Sequence, residues 1–331
     1  VHGGSGVDIH TRRLALALQR YSVAAEISWY STYFQFAPFS LSYLAPPPGI
    51  NIVHALSWSG FAFKRSGIPL IVTEQLDVLD PIYRPYKSLA QSVFHDVFVH
   101  SFMKKSFAAA SAITAVSQAT AKSLAHTCGI RSTQVIPNFV DTEVFRPQHS
   151  VSKPSSPFKL LFVGNLTKRK GADLLAPIMK QLGSRFELRF TTGLRDSSVN
   201  DTPANMISIG KLTTDKELVA AYQNCDALLF PSRLEGLPIA PLEAMACAKP
   251  IIAARTSSLP EIVEDGVTGT LCEPDNIGQF VAACQRLAGA PKTLRQLGEA
   301  ARQRAETLFA ETVVVPQYTA LYERVLDARR S

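Results

Sequence analysis

Two carboxylates stand eight residues apart, Glu235 and Glu243, in the segment DALLFPSRLEGLPIAPLEAMACAKP from Asp226 to Pro250. A second cluster, Lys168, Arg169 and Lys170, lies well upstream in FVGNLTKRKGADLL. Cations beside a helix start hold phosphate, because side-chain charge and backbone N–H groups then act on the same anion. Carboxylates at the same place would repel it, so their chemistry there is to accept hydrogen bonds from hydroxyl groups on either side. A sugar nucleotide has that order of groups: sugar hydroxyls, a diphosphate, ribose hydroxyls.

The elements that must position these residues follow from the local pattern. An apolar run, Ala227 to Phe230, ends at Pro231 and Ser232, a loop with Gly236 and Pro238 follows, and a helix is predicted to open at Pro241. Glu235 then lies in the loop and Glu243 about one turn into the helix. Likewise Phe158 to Val163 reads as a strand stopped by Gly164, and the basic loop leads through Gly171 into a helix. Upstream, short apolar runs recur at Val23 to Trp29, Ile50 to Leu56, Pro69 to Thr73, Ala112 to Val116 and Gln134 to Ile136. Helical patterns separate several of them, notably Ser88 to Ala110 and Gln118 to His126, and this alternation predicts an α/β chain with parallel sheets. His54, Glu74, Gln75, Asp77 and Ser117 would fall at strand ends, where such sheets collect ligands.

The spacing inside PSRLEGLPIAPLEAMA resembles the donor-site signature of the family 4 retaining glycosyltransferases. VIPNFVDTEVFRP and IIAARTSSLPEIVEDGVTGTLCEPDN are similar to further segments of that family. The resemblance implies a GT-B fold of two Rossmann-like, doubly wound domains facing an interdomain cleft. It divides the chain into an acceptor-side domain at 1–150, a nucleotide-sugar donor domain at 158–315, and a C-terminal helix at 316–331 that packs back on the first. A Ser- and Pro-rich linker, Gln148 to Pro157, separates the two domains. The donor would be held by Gly6, Asn165, Arg169, Lys170, Gly210, Glu235, Gly236, Leu237, Ile239 and Glu243, with Lys170 and Glu235 closest to the chemistry. His54, Glu74 and Gln75 would face the acceptor, while Asn138 and Asp141 serve as turn and cap residues.

This chain departs from the family in three places. Asn165 stands where an Arg is expected, and Arg169 is the candidate replacement. Gln75 stands where a His is common, and a Gln can hydrogen bond but cannot titrate. The Gly-rich start, with Ser5 and Gly6 as the loop pair, has no strand before it, so the natural chain is expected to begin earlier than Val1. The implied activity is transfer of a hexose or N-acetylhexosamine from a nucleotide diphosphate sugar to a saccharide or lipid-linked acceptor. The α configuration would be retained, with no metal and no cofactor. Two other readings remain open: a non-catalytic nucleotide-sugar binder and a sugar-nucleotide epimerase of similar fold.

Composition bounds these readings. With 331 residues and 46% apolar content the chain can bury two cores, and it has no apolar run long enough to cross a bilayer. Five scattered cysteines, without a C-x-x-C pair, argue against a disulfide framework or zinc site and for a reducing, cytoplasmic setting. The net charge of +7 suits phosphorylated small molecules or the anionic inner face of a membrane, where peripheral contact is an open expectation. Its basic pairs are not interleaved with aromatics as a nucleic-acid surface would require.

Overall fold

The computed structural model describes residues 6–44, 47–148, 154–192 and 202–330. The chain divides into two units, residues 1–138 with 312–331, and residues 139–311. The division falls ahead of the Ser- and Pro-rich segment because Phe139 to Phe145 packs with the second unit. Val140 donates its N–H to the Phe309 carbonyl at 2.9 Å, and the Phe145 ring meets Tyr222 edge-on.

The first unit opens with α1 (Gly6–Arg20), which buries Leu14, Ala17 and Leu18. Its sheet is parallel throughout, in the order β1 (Val53–Leu56), β2 (Leu70–Glu74), β3 (Ala112–Ala115), β4 (Gln134–Val135). Every residue of β2 is buried, as an interior strand covered on both faces demands. Between β2 and β3 runs one long helical stretch: α2 (Leu89–Phe94), a π-helical turn (His95–Val99) and α3 (His100–Ala109), begun by the Ser88 hydroxyl accepting from the Gln91 N–H. Then α4 (Gln118–Thr127) starts where the Ser117 hydroxyl accepts from the Thr120 N–H. The run Val23 to Trp29 forms no strand. Its side chains alternate between half-buried and exposed, but no neighbouring strand pairs with it among the described residues, and a strand exists only through its partner.

The second unit carries a six-stranded parallel sheet. In chain order it comprises β5 (Phe158–Phe162), α5 (Ala172–Leu182), β6 (Phe186–Phe190), β7 (Met206–Ser208), α6 (Asp215–Gln223), β8 (Ala227–Phe230), α7 (Ile239–Ala246), β9 (Ile251–Ala254), α8 (Leu259–Ile262), β10 (Gly269–Cys272), α9 (Ile277–Gly289) and α10 (Pro291–Arg304). In space the strands run β10-β9-β8-β5-β6-β7. The chain leaves β5 toward one edge and returns to β8 on its other side, so the order reverses between β5 and β8. At such a switch point the loops after the two strands diverge and leave a crevice at their carboxyl ends. Lys168 to Lys170 follow β5 and Glu235 follows β8.

Two helix starts differ from expectation. Helix α7 begins at Ile239, so Pro241 is its third residue; a first-turn N–H has no acceptor inside the helix, and its loss there costs nothing. The last helix, α11 (Glu311–Arg330), begins before Pro316 and carries it inside. All five cysteines are free thiols.

Candidate functional site

The crevice between β5 and β8 is closed by residues that lace its two loops together. Thr167 caps a short 3₁₀ turn, Lys168 to Lys170, through the Lys170 N–H. The turn ends at Gly171 in the left-handed region, φ +70°, where a Cβ would lie 2.2 Å from the Pro231 carbonyl oxygen. That close approach lets the Arg169 carbonyl accept from the Arg233 N–H at 2.9 Å and from the Ser232 hydroxyl at 3.2 Å.

Across this seam the predicted charges meet. The Lys170 ammonium lies 2.5 Å from Glu235 Oε1, and the Arg169 guanidinium lies 3.3 Å from Oε2 while also donating to the Leu234 carbonyl at 2.5 Å. Ser232 Oγ donates to Oε1 at 2.5 Å. Burial by itself would push the Glu235 carboxyl up; Lys170, Arg169 and Ser232 outweigh it and hold the group below the ordinary carboxylate range. Burial pulls the Lys170 ammonium down, and Glu235 opposes that pull. We take the pair as ionised, since every polar contact on the carboxyl donates to it. Lys170 also lies over the Phe230 ring at 5.3 Å, a low-dielectric floor that strengthens its field.

The loop carrying Glu235 is pinned from its other side. Its N–H donates to Ser257 Oγ at 3.0 Å, and Ser258 Oγ donates to its carbonyl at 3.2 Å. Residues 231–238, including Gly236 and Leu237, are buried, and Ile239 opens α7 half-buried. One turn into that helix Glu243, 3% exposed, accepts the Tyr222 hydroxyl proton at 2.8 Å. Burial, with the nearby Glu243 charge, raises that phenol well above its ordinary value, so it stays a donor. Gly210 takes φ +70° in the loop after β7, with its carbonyl accepting from the Thr192 N–H at 3.0 Å. Asn165 lies in the loop after β5, where its carbonyl accepts from the Thr167 N–H.

Arg233 was not among the expected site residues, yet it ties the seam. Its guanidinium spans Asp173, at 2.7 and 2.9 Å, and Asp275 at 2.6 Å, and also donates to the Lys168 carbonyl. Burial would lower its pKa, and hydrogen bonds to the two aspartates more than reverse this, so its charge is permanent. Its partners lie 60 and 42 residues away, so no local spacing pointed to them.

In the first unit the expected acceptor-side residues meet different fates. Both His54 ring nitrogens are engaged, with the Tyr322 hydroxyl at 2.8 Å and Thr73 Oγ1 at 2.6 Å, and burial holds its pKa down at about 4. His54 is thus not at a strand end as expected but the second residue of β1, where it pairs in the sheet and forms a neutral link between β1 and α11. Gln75 Oε1 accepts from Asn138 Nδ2 at 3.3 Å. Asp77 accepts from Ser123 and Thr127 at 2.7 Å each, fastening the loop after β2 to α4, and Ser117 serves as the α4 cap. Gly6 is the first residue of α1, and the rest of the Gly-rich start lies outside the described residues, as do 149–153 of the expected linker.

Glu74 is buried at the end of β2, with Oε1 accepting the Leu76 N–H at 3.1 Å and Oε2 lacking any hydrogen-bond partner among the described residues. Burial pushes its carboxyl up to about 8, against hydrogen bonds from Ser57 and the backbone. The group is thus a neutral acid near pH 7 in the folded chain and ionised in the unfolded one. Its contribution to stability must fall as pH rises from about 4.5, where the unfolded carboxyl loses its proton, to about 8. Glu74→Gln is expected to flatten that slope and to raise stability at pH 8 by about 1 to 4 kcal/mol. Urea unfolding at pH 5, 6.5 and 8 checks it; parallel pH profiles for the two proteins would show an ionised Glu74.

Two family descriptions match consecutive stretches. "Glycosyltransferase Family 4" matches residues 22–144 and "Glycosyl transferases group 1" matches residues 145–304. The chain belongs to glycosyltransferase family 4. Among curated relatives it is 29% identical over 205 residues to MMP alpha-(1->4)-mannosyltransferase of Mycolicibacterium hassiacum, covering 58% of this chain and 48% of the relative. Against alpha-maltose-1-phosphate synthase of Mycobacterium tuberculosis it is 28% identical over 225 residues, 58% of this chain and 56% of the relative. The chain thus spans about half the length of the curated relatives it matches. Sucrose-phosphate synthase of Thermosynechococcus elongatus superposes with a TM-score of 0.74 at 22% identity, over 85% of this chain and 75% of that one. Anabaena HepE in complex with UDP-glucose superposes at 0.74 and 16% identity, over 98% and 97%. These likenesses concern the fold, which is GT-B.

Proposed function

We propose that this glycosyltransferase moves a hexose or N-acetylhexosamine from a nucleotide diphosphate sugar to a hydroxyl of a saccharide or lipid-linked saccharide, with retention at the anomeric carbon, in polysaccharide or glycoconjugate assembly. The observation that carries the reading is the cluster of half-buried Lys170 and Arg169 on the buried Glu235 at the switch point, just ahead of α7, which carries Glu243 one turn in. Lys170, Arg169 and the first-turn N–H groups of α7 bear on the diphosphate. Glu235 accepts from sugar hydroxyls, and Glu243, oriented by Tyr222, accepts from the ribose. Charge grows on the departing diphosphate as the glycosidic bond breaks, so fixed cations favour the transition state over the bound donor. A phosphate oxygen freed on the same face takes the acceptor proton, which accounts for retention without a protein nucleophile. These cations do the work a divalent ion would otherwise do, and no metal is required. That HepE was solved with UDP-glucose makes UDP-hexoses the first donors to try.

The test is a panel of nucleotide sugars incubated with the full chain in excess chelator, reading nucleotide release with and without simple glycoside acceptors. Glu243→Ala should weaken binding of free nucleotide diphosphate about 5- to 100-fold, and Glu235→Ala should weaken only the intact donor, each by the loss of one or two hydroxyl contacts. Equal effects of both on free nucleotide overturn the assignment. Binding of a donor without release under any condition marks a non-catalytic binder, and release without transfer that scrambles a sugar stereocentre marks the epimerase chemistry.

A further inference from the structure

The first unit has an apolar face that none of the described residues covers. On the long helix between β2 and β3, Leu89, Val93 and Val97 recur at four-residue spacing, and all three are exposed, Leu89 to 83%. A helix normally turns such a stripe inward. The aromatic rings continue it: Phe36 lies 5.4 Å from Phe94, Phe94 5.8 Å from Phe98, Phe98 6.5 Å from Phe102, and Phe102 5.9 Å from Phe61. Phe36 is 65% exposed and Phe98 51%, and in the turns around Phe36 the rings of Tyr33, Phe39 and Tyr43 are more than half exposed. Phe102 is buried and Phe94 and Phe61 are half-buried, so they join the exposed rings into one patch, and a joined patch marks a binding surface rather than scattered surface hydrophobes.

The charge around the face selects its partner. Lys104 and Lys105 are exposed on the same helix, with Lys105 over the Phe61 ring at 5.8 Å. Lys64 and Arg65 follow Phe61 to Phe63, and the hydrogen bonds of Arg65 go to the carbonyls of Ser42, Leu44, Ala62 and Lys64. Lys64 donates to the Ala109 carbonyl. Carbonyls satisfy these donors but leave their charge uncancelled. No Asp or Glu occurs between Ser28 and Thr73 or between Val97 and Val140, and Asp96 is the one acid of residues 89–109. Beside Lys64 and Arg65 opens a cavity of about 490 Å³ lined also by Ser66, Ser111 and Arg324, with Ile68, Pro69 and Val325 forming an apolar part of its wall. Its cations and hydroxyls suit a phosphate.

We infer that this face is a membrane-docking surface, and that its partner is a bilayer rich in anionic phospholipid. The rings enter the interfacial layer, Lys104 and Lys105 meet the negative surface, and the cavity at Arg65 receives a headgroup phosphate. A second copy of the chain would set the same uncancelled positive charges against each other, which disfavours a self-complementary dimer through this face.

The test is co-sedimentation of the full chain with phosphatidylglycerol vesicles or with phosphatidylcholine vesicles, at low and at 0.5 M salt. Partition to phosphatidylglycerol should exceed that to phosphatidylcholine at least tenfold and drop steeply with salt. The exposed-face variant Leu89→Ser/Val97→Ser/Phe98→Ser and the charge variant Lys104→Glu/Lys105→Glu should each lose tenfold or more. Lys292→Ala/Arg295→Ala, which removes two exposed cations of α10, should change partition less than twofold. Circular dichroism and thermal midpoints confirm that each variant is folded, and sedimentation velocity reads the oligomeric state. Pelleting indifferent to lipid charge, wild-type pelleting by the face variants, or a dimer dissolved by those variants would each overturn the proposal. Vesicle binding is read without any donor, so its failure is separate from failure of the transfer reaction.

Discussion

Lys170→Ala is expected to lower kcat by about 10² to 10³, with a much smaller change in the dissociation constant for the intact donor. The size follows from removing a preorganised positive group aimed at charge that develops in the transition state. The asymmetry follows because the bound diphosphate keeps Arg169 and the α7 N–H groups, whereas the departing one needs the nearest cation most. On the proposed arrangement Lys170 is that group: its side chain is 15% exposed, lies over Phe230 and is held by Glu235, a closer fixing than a flexible surface lysine has. The substitution also leaves Glu235 with only Arg169 as a counter-ion, at 3.3 Å, so part of any loss comes from an under-paired buried carboxylate. The double variant Lys170→Ala/Glu235→Gln separates the two effects. If loss of the cation is decisive, the double variant stays as slow as the single one; if the orphaned carboxylate is to blame, activity recovers. Single-turnover transfer by Lys170→Ala within threefold of the unchanged chain, a barrier difference under about 1 kcal/mol, would remove Lys170 from the mechanism. Arg169→Ala tests whether that residue fills the role left by Asn165. It should slow transfer less than Lys170→Ala does, because Arg169 also spends a donor on the Leu234 carbonyl.

The parts of this molecule that local chemistry determines could be read in the chain. Buried parallel strands demand short apolar runs, and four of the five runs before residue 140 lie on strands β1 to β4. The fifth, Val23 to Trp29, has the right composition and no pairing neighbour, and composition cannot report a neighbour. The same limit applied to the site. Glu235, Lys170 and Glu243 were visible through their residue type, spacing and likeness to a family. That Lys170 and Glu235 form an ion pair was not visible, because 65 residues lie between them and the contact depends on β5 lying beside β8. Arg233 was invisible for the same reason. His54 was expected at a strand end but lies inside β1, and the Thr73 and Tyr322 hydroxyls that occupy its nitrogens come from a neighbouring strand and from the last helix.

Gly171→Ala should be the most damaging single-methyl change in the second unit. The residue sits at φ +70°, where a side chain costs about 1 to 2 kcal/mol. Its Cβ would also fall 2.2 Å from the Pro231 carbonyl oxygen, and backbone cannot rotate away as a flexible side chain would. Relief requires the loop after β5 to draw back from the loop after β8, which stretches the hydrogen bonds from Arg233 and Ser232 to the Arg169 carbonyl and parts Lys170 from Glu235. The combined cost is roughly 3 kcal/mol or more, a fall of roughly 6 to 12 °C in the melting temperature for a unit of this size. Gly210→Ala is the matched control. It has the same φ, +70°, and no described residue within 4 Å of its Cβ, so only the backbone term of about 1 to 2 kcal/mol remains. Calorimetry of the three chains should rank them unchanged, Gly210→Ala, Gly171→Ala, from most to least stable. Equal drops for both glycines would mean that the two loops are not in contact at Pro231. The seam that brings Lys170 to Glu235 would then have no basis, and the site would have to be rebuilt without it.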